Sequence, residues 1–158
     1  GNMWALINKN LELTTGFVYD NVVVDACDMC SYNNVVFVYD GDKKYLVDGN
    51  GKKICDDAFE NVAPFLSVNP AAVQKNGKWG FISADGKTVI DYQYEMGRSF
   101  TQIGYAPVEQ NGKYGYIDMK KHWIIQPEFI WAKGCNERGI APVETQEGVW
   151  KLIQIEYE

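Results

Sequence analysis

Apolar and polar positions along the chain recur with one spacing. Val73 returns as Val108 and Val143, Ile90 as Ile125, Gly104 as Gly139, and Ala106-Pro107 as Ala141-Pro142, each 35 residues on. The run Asn76-Gly77-Lys78-Trp79-Gly80-Phe81-Ile82 comes back as Asn111-Gly112-Lys113-Tyr114-Gly115-Tyr116-Ile117. The apolar runs are short, rich in β-branched and aromatic residues, and bounded by Asn, Asp and Gly, which predicts strands and turns. No segment holds a 3.6-residue apolar period long enough for a helix. A constant spacing over most of a chain marks a tandem repeat.

Within one unit, Ala106-Pro107-Val108-Glu109 reads as a short extended segment. Pro107 suits a strand start or edge there, because proline cannot donate to a ladder. Asn111-Gly112 predicts a hairpin turn whose two central residues need positive φ. Tyr114 to Asp118 is the return strand, Asp118 to Lys121 the next turn, and Trp123 to Gln126 a third strand. Residues 128–139 form a less regular connector. Three strands cannot bury both of their own faces, so neighbouring units must stack equivalent side chains into columns. The expected columns are Val38, Val73, Val108, Val143; Val47, Ile82, Ile117; Cys55, Ile90, Ile125; and Phe59, Tyr94, Phe129. Gly80 and Gly115, in mid-strand, read as contact points between adjacent units.

The expected fold is therefore all-β. It is one repeat domain over residues 1–158, with each unit of about 35 residues built from three short antiparallel strands plus a connector. The units fall near 3–37 (degenerate), 38–72, 73–107, 108–142 and 143–158 (partial). An open array is expected, with propeller-like closure as the alternative. Two registers remain open for the first unit. One places Leu11 on Leu46 and Gly16 on Gly51; the other places Trp4-Ala5-Leu6-Ile7 on Trp79-Gly80-Phe81-Ile82 and leaves an insertion before residue 36. At the far end, one extra residue brings Gly148-Val149-Trp150 onto Gly112-Lys113-Tyr114.

The segments Gly77-Lys78-Trp79-Gly80-Phe81-Ile82 and Gly112-Lys113-Tyr114-Gly115-Tyr116-Ile117, with Ala141-Pro142-Val143 after Gly139, resemble the bacterial WG repeats, named for a Trp-Gly pair. The resemblance covers residues 71–130 well, 36–70 in part, and the ends poorly. Lys44-Tyr45 and Trp150-Lys151 stand where the pair is expected. The resemblance implies a tandem array that binds partners. It brings no catalytic motif.

Composition changes this picture little. A net charge of −6 and a pI near 4.8 argue against nucleic acid or an anionic membrane surface as the main partner. The Lys pairs at 43–44, 52–53 and 120–121 sit at turns. No apolar run approaches the roughly 18 residues of a membrane helix, and no leader-like segment is visible, so the compartment stays open.

Candidate chemistry is sparse. Cys27-Asp28-Met29-Cys30 is a lone C-x-x-C, with Cys55, Cys135 and His122 the only further soft ligands. By register Cys55 takes the slot of Ile90 and Ile125, while Cys30 and Cys135 take that of Phe65 and Phe100. Core thiols are thus expected, with a disulfide or a metal site as alternatives. His122 sits at a turn with no nucleophile motif nearby. Asp25, Glu60 and Glu95 share one register position, and stacked carboxylates would suit glycoside hydrolysis if buried in pairs; strand-end charge is the plainer reading. Asp40-Gly41-Asp42 and Asp48-Gly49-Asn50-Gly51 lack calcium-loop spacing.

The aromatics are the leading candidates for contact with a ligand. Trp79, Tyr114 and Trp150 share one strand position. Facing outward they would form a ladder for sugars or a peptide; alternation with Phe81, Tyr116 and Leu152 favours inward. The expectation is a non-enzymatic binding or scaffold module for a protein partner, with no cofactor and no metal. A glycan-binding surface is the alternative, and self-association through the half-unit from Ala141 to Ile155 remains open.

Overall fold

The computed structural model of the protein describes residues 1–23, 32–66 and 68–156. Fourteen strands lie in these residues, and no helix does. The first sheet contains β1 (Asn21–Val22), β2 (Val35–Asp40) and β3 (Lys43–Asp48). The second runs β4 (Asn61–Val62), β5 (Ala71–Lys75), β6 (Lys78–Ile82) and β7 (Thr88–Tyr94). The third repeats that order with β8 (Met96–Gly97), β9 (Tyr105–Gln110), β10 (Lys113–Asp118) and β11 (Trp123–Phe129). The fourth has β12 (Trp131–Ala132), β13 (Ile140–Gln146) and β14 (Val149–Gln154). Every pairing is antiparallel, each strand beside its sequence neighbour. The chain is all-β and repeats as the 35-residue spacing requires.

The hairpin turns form as the Asn-Gly signal demands. Asn76-Gly77 and Asn111-Gly112 have φ of 54° and 73°, then 54° and 72°. The other turn closes on a side chain in the units of Asp48 and Asp118. Asp48 Oδ1 accepts from the N–H of Asn50 and Lys52, and Asp118 Oδ1 from those of Lys120 and His122. The segment 48–51 is therefore a self-capped turn.

Pro107 lies inside β9, between β8 and β10, and not at a strand edge. Its carbonyl accepts from the Arg98 N–H at 3.2 Å, so the side that lacks an N–H faces the end of two-residue β8, outside a regular ladder. Pro142 does the same opposite Lys133. At the equivalent Ala72, the N–H is satisfied by Ser99 Oγ at 3.0 Å.

The backbone decides the N-terminal register. Trp4 bridges Tyr19 as Lys44 bridges Phe59, Trp79 pairs with Tyr94 and Tyr114 with Phe129. Ile7 meets Leu13 as Val47 meets Lys53, Ile82 meets Thr88 and Ile117 meets Trp123. Trp4-Ala5-Leu6-Ile7 is thus the counterpart of Trp79-Gly80-Phe81-Ile82, and the register that placed Leu11 on Leu46 is wrong. The shift from residue 4 to 44 is 40 positions, against 35 from 44 to 79 and from 79 to 114. The extra five fall between the partners Val22 and Val38, which are 16 apart where Val62 and Val73, Gly97 and Val108, and Ala132 and Val143 are 11 apart. At the other end the extra residue is a bulge between Glu144 and Gln146.

Among the described residues the core is divided into four apolar clusters: three fill the junctions between successive sheets, and one lies between residues 4–19 and the first sheet. Leu6 packs with Val36, Val38 and Val47. Phe37, Leu46 and Phe59 pack with Ala71, Val73, Ile82 and Tyr92. Trp79, Phe81 and Tyr94 pack with Ala106, Val108 and Ile117. Tyr114, Tyr116 and Phe129 pack with Ala141, Val143 and Ile155. Alternation explains the layout: Phe81 faces the following sheet while Ile82 faces the preceding one. Among the described residues no backbone hydrogen bond joins the first sheet to the last, and large apolar side chains stay exposed at both ends. The array is open.

Candidate functional site

The repeated Trp-Gly position is where the third strand crosses the second. A Cβ on Gly80 would sit 2.7 Å from the Ile90 carbonyl oxygen and 3.0 Å from the Tyr92 nitrogen. On Gly115 it would sit 2.5 Å from the Ile125 oxygen and 2.9 Å from Pro127 N. The close approach therefore comes from the backbone of the same unit's third strand, and not from an adjacent unit as the spacing alone suggested. The ladder registers skip here, with shifts between Trp79 and Phe81 and between Tyr114 and Tyr116. Where glycine stands, β7 and β11 form as seven-residue strands. Where Ala5 or Tyr45 takes its place, residues 13–19 and 53–59 make only isolated bridges. Tyr45 instead holds Lys53 Nζ over its ring, 3.6 Å from the centroid.

The three aromatics at this position do not form an exposed ladder. Trp79 is 6% exposed and Tyr114 2%, whereas Trp150 is 46% exposed. Trp79 lies under Gly97 of the next sheet, where a Cβ would come within 3.3 Å of its own Cβ. Tyr114 is covered by Trp131, with ring centroids 4.9 Å apart. Burial, with the Glu109 carboxylate nearby, pushes the Tyr114 hydroxyl up to about 12. Trp150 has only Lys133 over its ring, at 5.2 Å.

The remaining polar candidates do structural work. Glu60 accepts from the N–H of Asn76 and Gly77 at 3.0 and 2.9 Å, and Glu95 from that of Gly112 at 2.9 Å. Asp20 does the same for Gly41 at 2.7 Å, so Asp20 is their true counterpart. Each carboxylate caps the hairpin turn of the following unit. Asp25, Cys27 and Cys30 lie outside the described residues. Cys135 is buried, with its Sγ 3.0 Å from Thr101 Oγ1, and Cys55 is half-buried; burial raises both thiols above their ordinary range. His122 Nδ1 lies 3.0 Å from Asp118 Oδ2 on an exposed turn. Among the described residues no three His, Cys, Asp or Glu side chains gather as a metal site would require.

One strand lacks the outer partner that its counterparts have. β14 holds the position of β6 and β10, yet among the described residues it pairs only with β13. In earlier units that free side carries the third strand. The Lys44 N–H donates to the Phe59 carbonyl, the Lys44 carbonyl accepts from the Phe59 N–H, and the Ile54 N–H donates to the Leu46 carbonyl. Trp150 and Leu152 are the counterparts of Lys44 and Leu46, so their backbone N–H and C=O groups point to the open side. Leu152 is 73% exposed and Val149 is exposed too. Sequence reasoning had grouped Leu152 with the buried Phe81 and Tyr116; its exposure follows from the uncovered edge, which no local pattern encodes.

A family model described as WG containing repeat matches residues 79–114 and 114–150 in succession. No curated protein matches the chain. The matched segments each begin at the aromatic residue before a crossing or edge position, and both of their glycine crossings are required by a strand passing within 3 Å. On these grounds residues 79–150 are WG repeats, within a chain that is all-β and tandemly repeated.

Proposed function

We propose that the protein is a non-enzymatic binding module that offers the free edge of β14 to an extended segment of a protein partner. The observation that carries this is that β14, unlike its counterparts β3, β6 and β10, has no third-strand contact on its outer side among the described residues, with Val149, Trp150 and Leu152 exposed along it. An unpaired edge is a template for strand addition, in which backbone hydrogen bonds supply affinity and alternate side chains supply selectivity. Lys151 stands at the glycine position, so an added strand meets β14 opposite Trp150 and near Ile153, as residues 53–59 meet β3. The raised thiols and the turn-bound histidine support a role without catalysis. A glycan platform has less support, since Trp150 alone of the three rings is open.

Panning a displayed library of random peptides against the protein tests this. Enrichment of extended, alternating apolar sequences is expected, with binding lost in Leu152→Pro. That substitution removes the edge-facing N–H and spares the ladder to β13. Peptide binding that survives Leu152→Pro refutes the edge reading. Binding on a glycan array that is lost with Trp150→Ala and kept with Leu152→Pro transfers the role to sugars.

A further inference from the structure

The two ends of the array carry complementary halves of one junction. Within the chain, each junction joins a forward face to a backward face. The forward face is made by the positions of Leu46, Phe81 and Tyr116, together with Trp79 and Tyr114. The backward face is made by the positions of Val47, Ile82 and Ile117, and by Tyr92 on the third strand. At the C-terminal end the forward pair is Trp150 and Leu152, 46% and 73% exposed. At the N-terminal end the register of bridges makes Ile7 the counterpart of Ile82 and Phe17 that of Tyr92. Those two are 54% and 64% exposed. Of the exposed large apolar side chains among the described residues, most fall in residues 3–18 and 149–152, at the two ends of the array.

We infer that a second copy of this chain docks head to tail, its Ile7 and Phe17 packing on Trp150 and Leu152 as Ile82 and Tyr92 pack near Leu46 inside each molecule. The contact is made by the side-chain faces of the two ends and leaves the backbone edge of β14 open. The contact continues the repeat interface from one molecule to the next. Because forward meets backward, it is heterologous and propagates into open chains or closes as a ring. A symmetric tail-to-tail dimer would oppose two forward faces, a pairing that occurs at no junction within the chain.

Light scattering on size-exclusion fractions of the full chain, over rising concentration, gives the test. The wild type should grow in mass with concentration. Leu152→Glu blocks the forward face and Phe17→Glu the backward face. Both sites are exposed, so folding is expected to be retained, as circular dichroism would verify. Each variant alone should stay monomeric, with self-association weakened at least about tenfold. Mixed together, they should form a dimer and nothing larger, because one open forward and one open backward face remain. Self-association of Phe17→Glu equal to wild type overturns the head-to-tail inference. Self-association of Leu152→Glu equal to wild type overturns it as well; that variant keeps the edge-facing N–H of β14, so the edge reading is decided by the peptide experiment. A wild type that stays monomeric throughout overturns the inference alone and leaves the peptide experiment to decide the edge.

Discussion

Replacing Gly115 with alanine probes the crossing that defines each unit. The added methyl would stand 2.5 Å from the Ile125 oxygen and 2.9 Å from the Gln126 carbonyl carbon and Pro127 nitrogen, all of them backbone. No rotamer change relieves such a contact, so β11 must lift or slide. Overfilling of this kind costs about 1–3 kcal/mol. Alanine restricts the unfolded chain and returns roughly 0.5–1 kcal/mol. The net loss expected is about 1–2 kcal/mol, or roughly 3–6 °C in Tm for a chain of this size. The structural consequence is more specific than the energy. Residues 123–129 should revert towards the bridge-only contact of residues 53–59, so their amides should exchange faster while β9 and β10 stay protected. Urea unfolding followed by circular dichroism, with hydrogen exchange read by mass spectrometry, measures both. The reverse change, Tyr45→Gly, should slow exchange across residues 53–59 by letting a third strand settle on β3. A Gly115→Ala protein within about 0.5 kcal/mol of wild type, with unchanged exchange in 123–129, would refute the crossing as the reason for the glycine.

Two further outcomes follow from the geometry. Glu60→Gln should cost about 1 kcal/mol in urea unfolding, because it weakens charge-assisted bonds to two backbone N–H groups of the next hairpin. The raised Tyr114 hydroxyl predicts alkaline sensitivity. Its folded value near 12 lies above the ordinary 10, so the folded state holds the proton more tightly. Stability should therefore be constant below pH 10 from this group, and fall as pH rises from 10 through 12. Burial raises Tyr94 and Tyr116 in the same direction. Tyrosinate absorbance and denaturant midpoints measured across that window check it, and Tyr114→Phe should flatten the fall.

The sequence by itself determined the period, the strand class and the turns. The same short pattern recurs, and each copy obeys local rules: Asn-Gly needs positive φ, and alternating β-formers expose one face and bury the other. The columns Val38, Val73, Val108, Val143 and Val47, Ile82, Ile117 were legible for that reason, and all seven residues are buried. Tertiary structure decided the rest. The register of residues 1–23 depended on the backbone bridges from Trp4 and Ile7, because insertions fall in connectors that carry no repeat signal. The purpose of Gly80 and Gly115 depended on the path of a strand ten or more residues later in the chain. The fates of Trp79, Tyr114 and Trp150 parted although they share one local pattern. The first two are roofed by the next sheet, and the third has no sheet above it among the described residues. Alternation tells which way a side chain points; only the neighbouring unit decides whether it meets protein or solvent there.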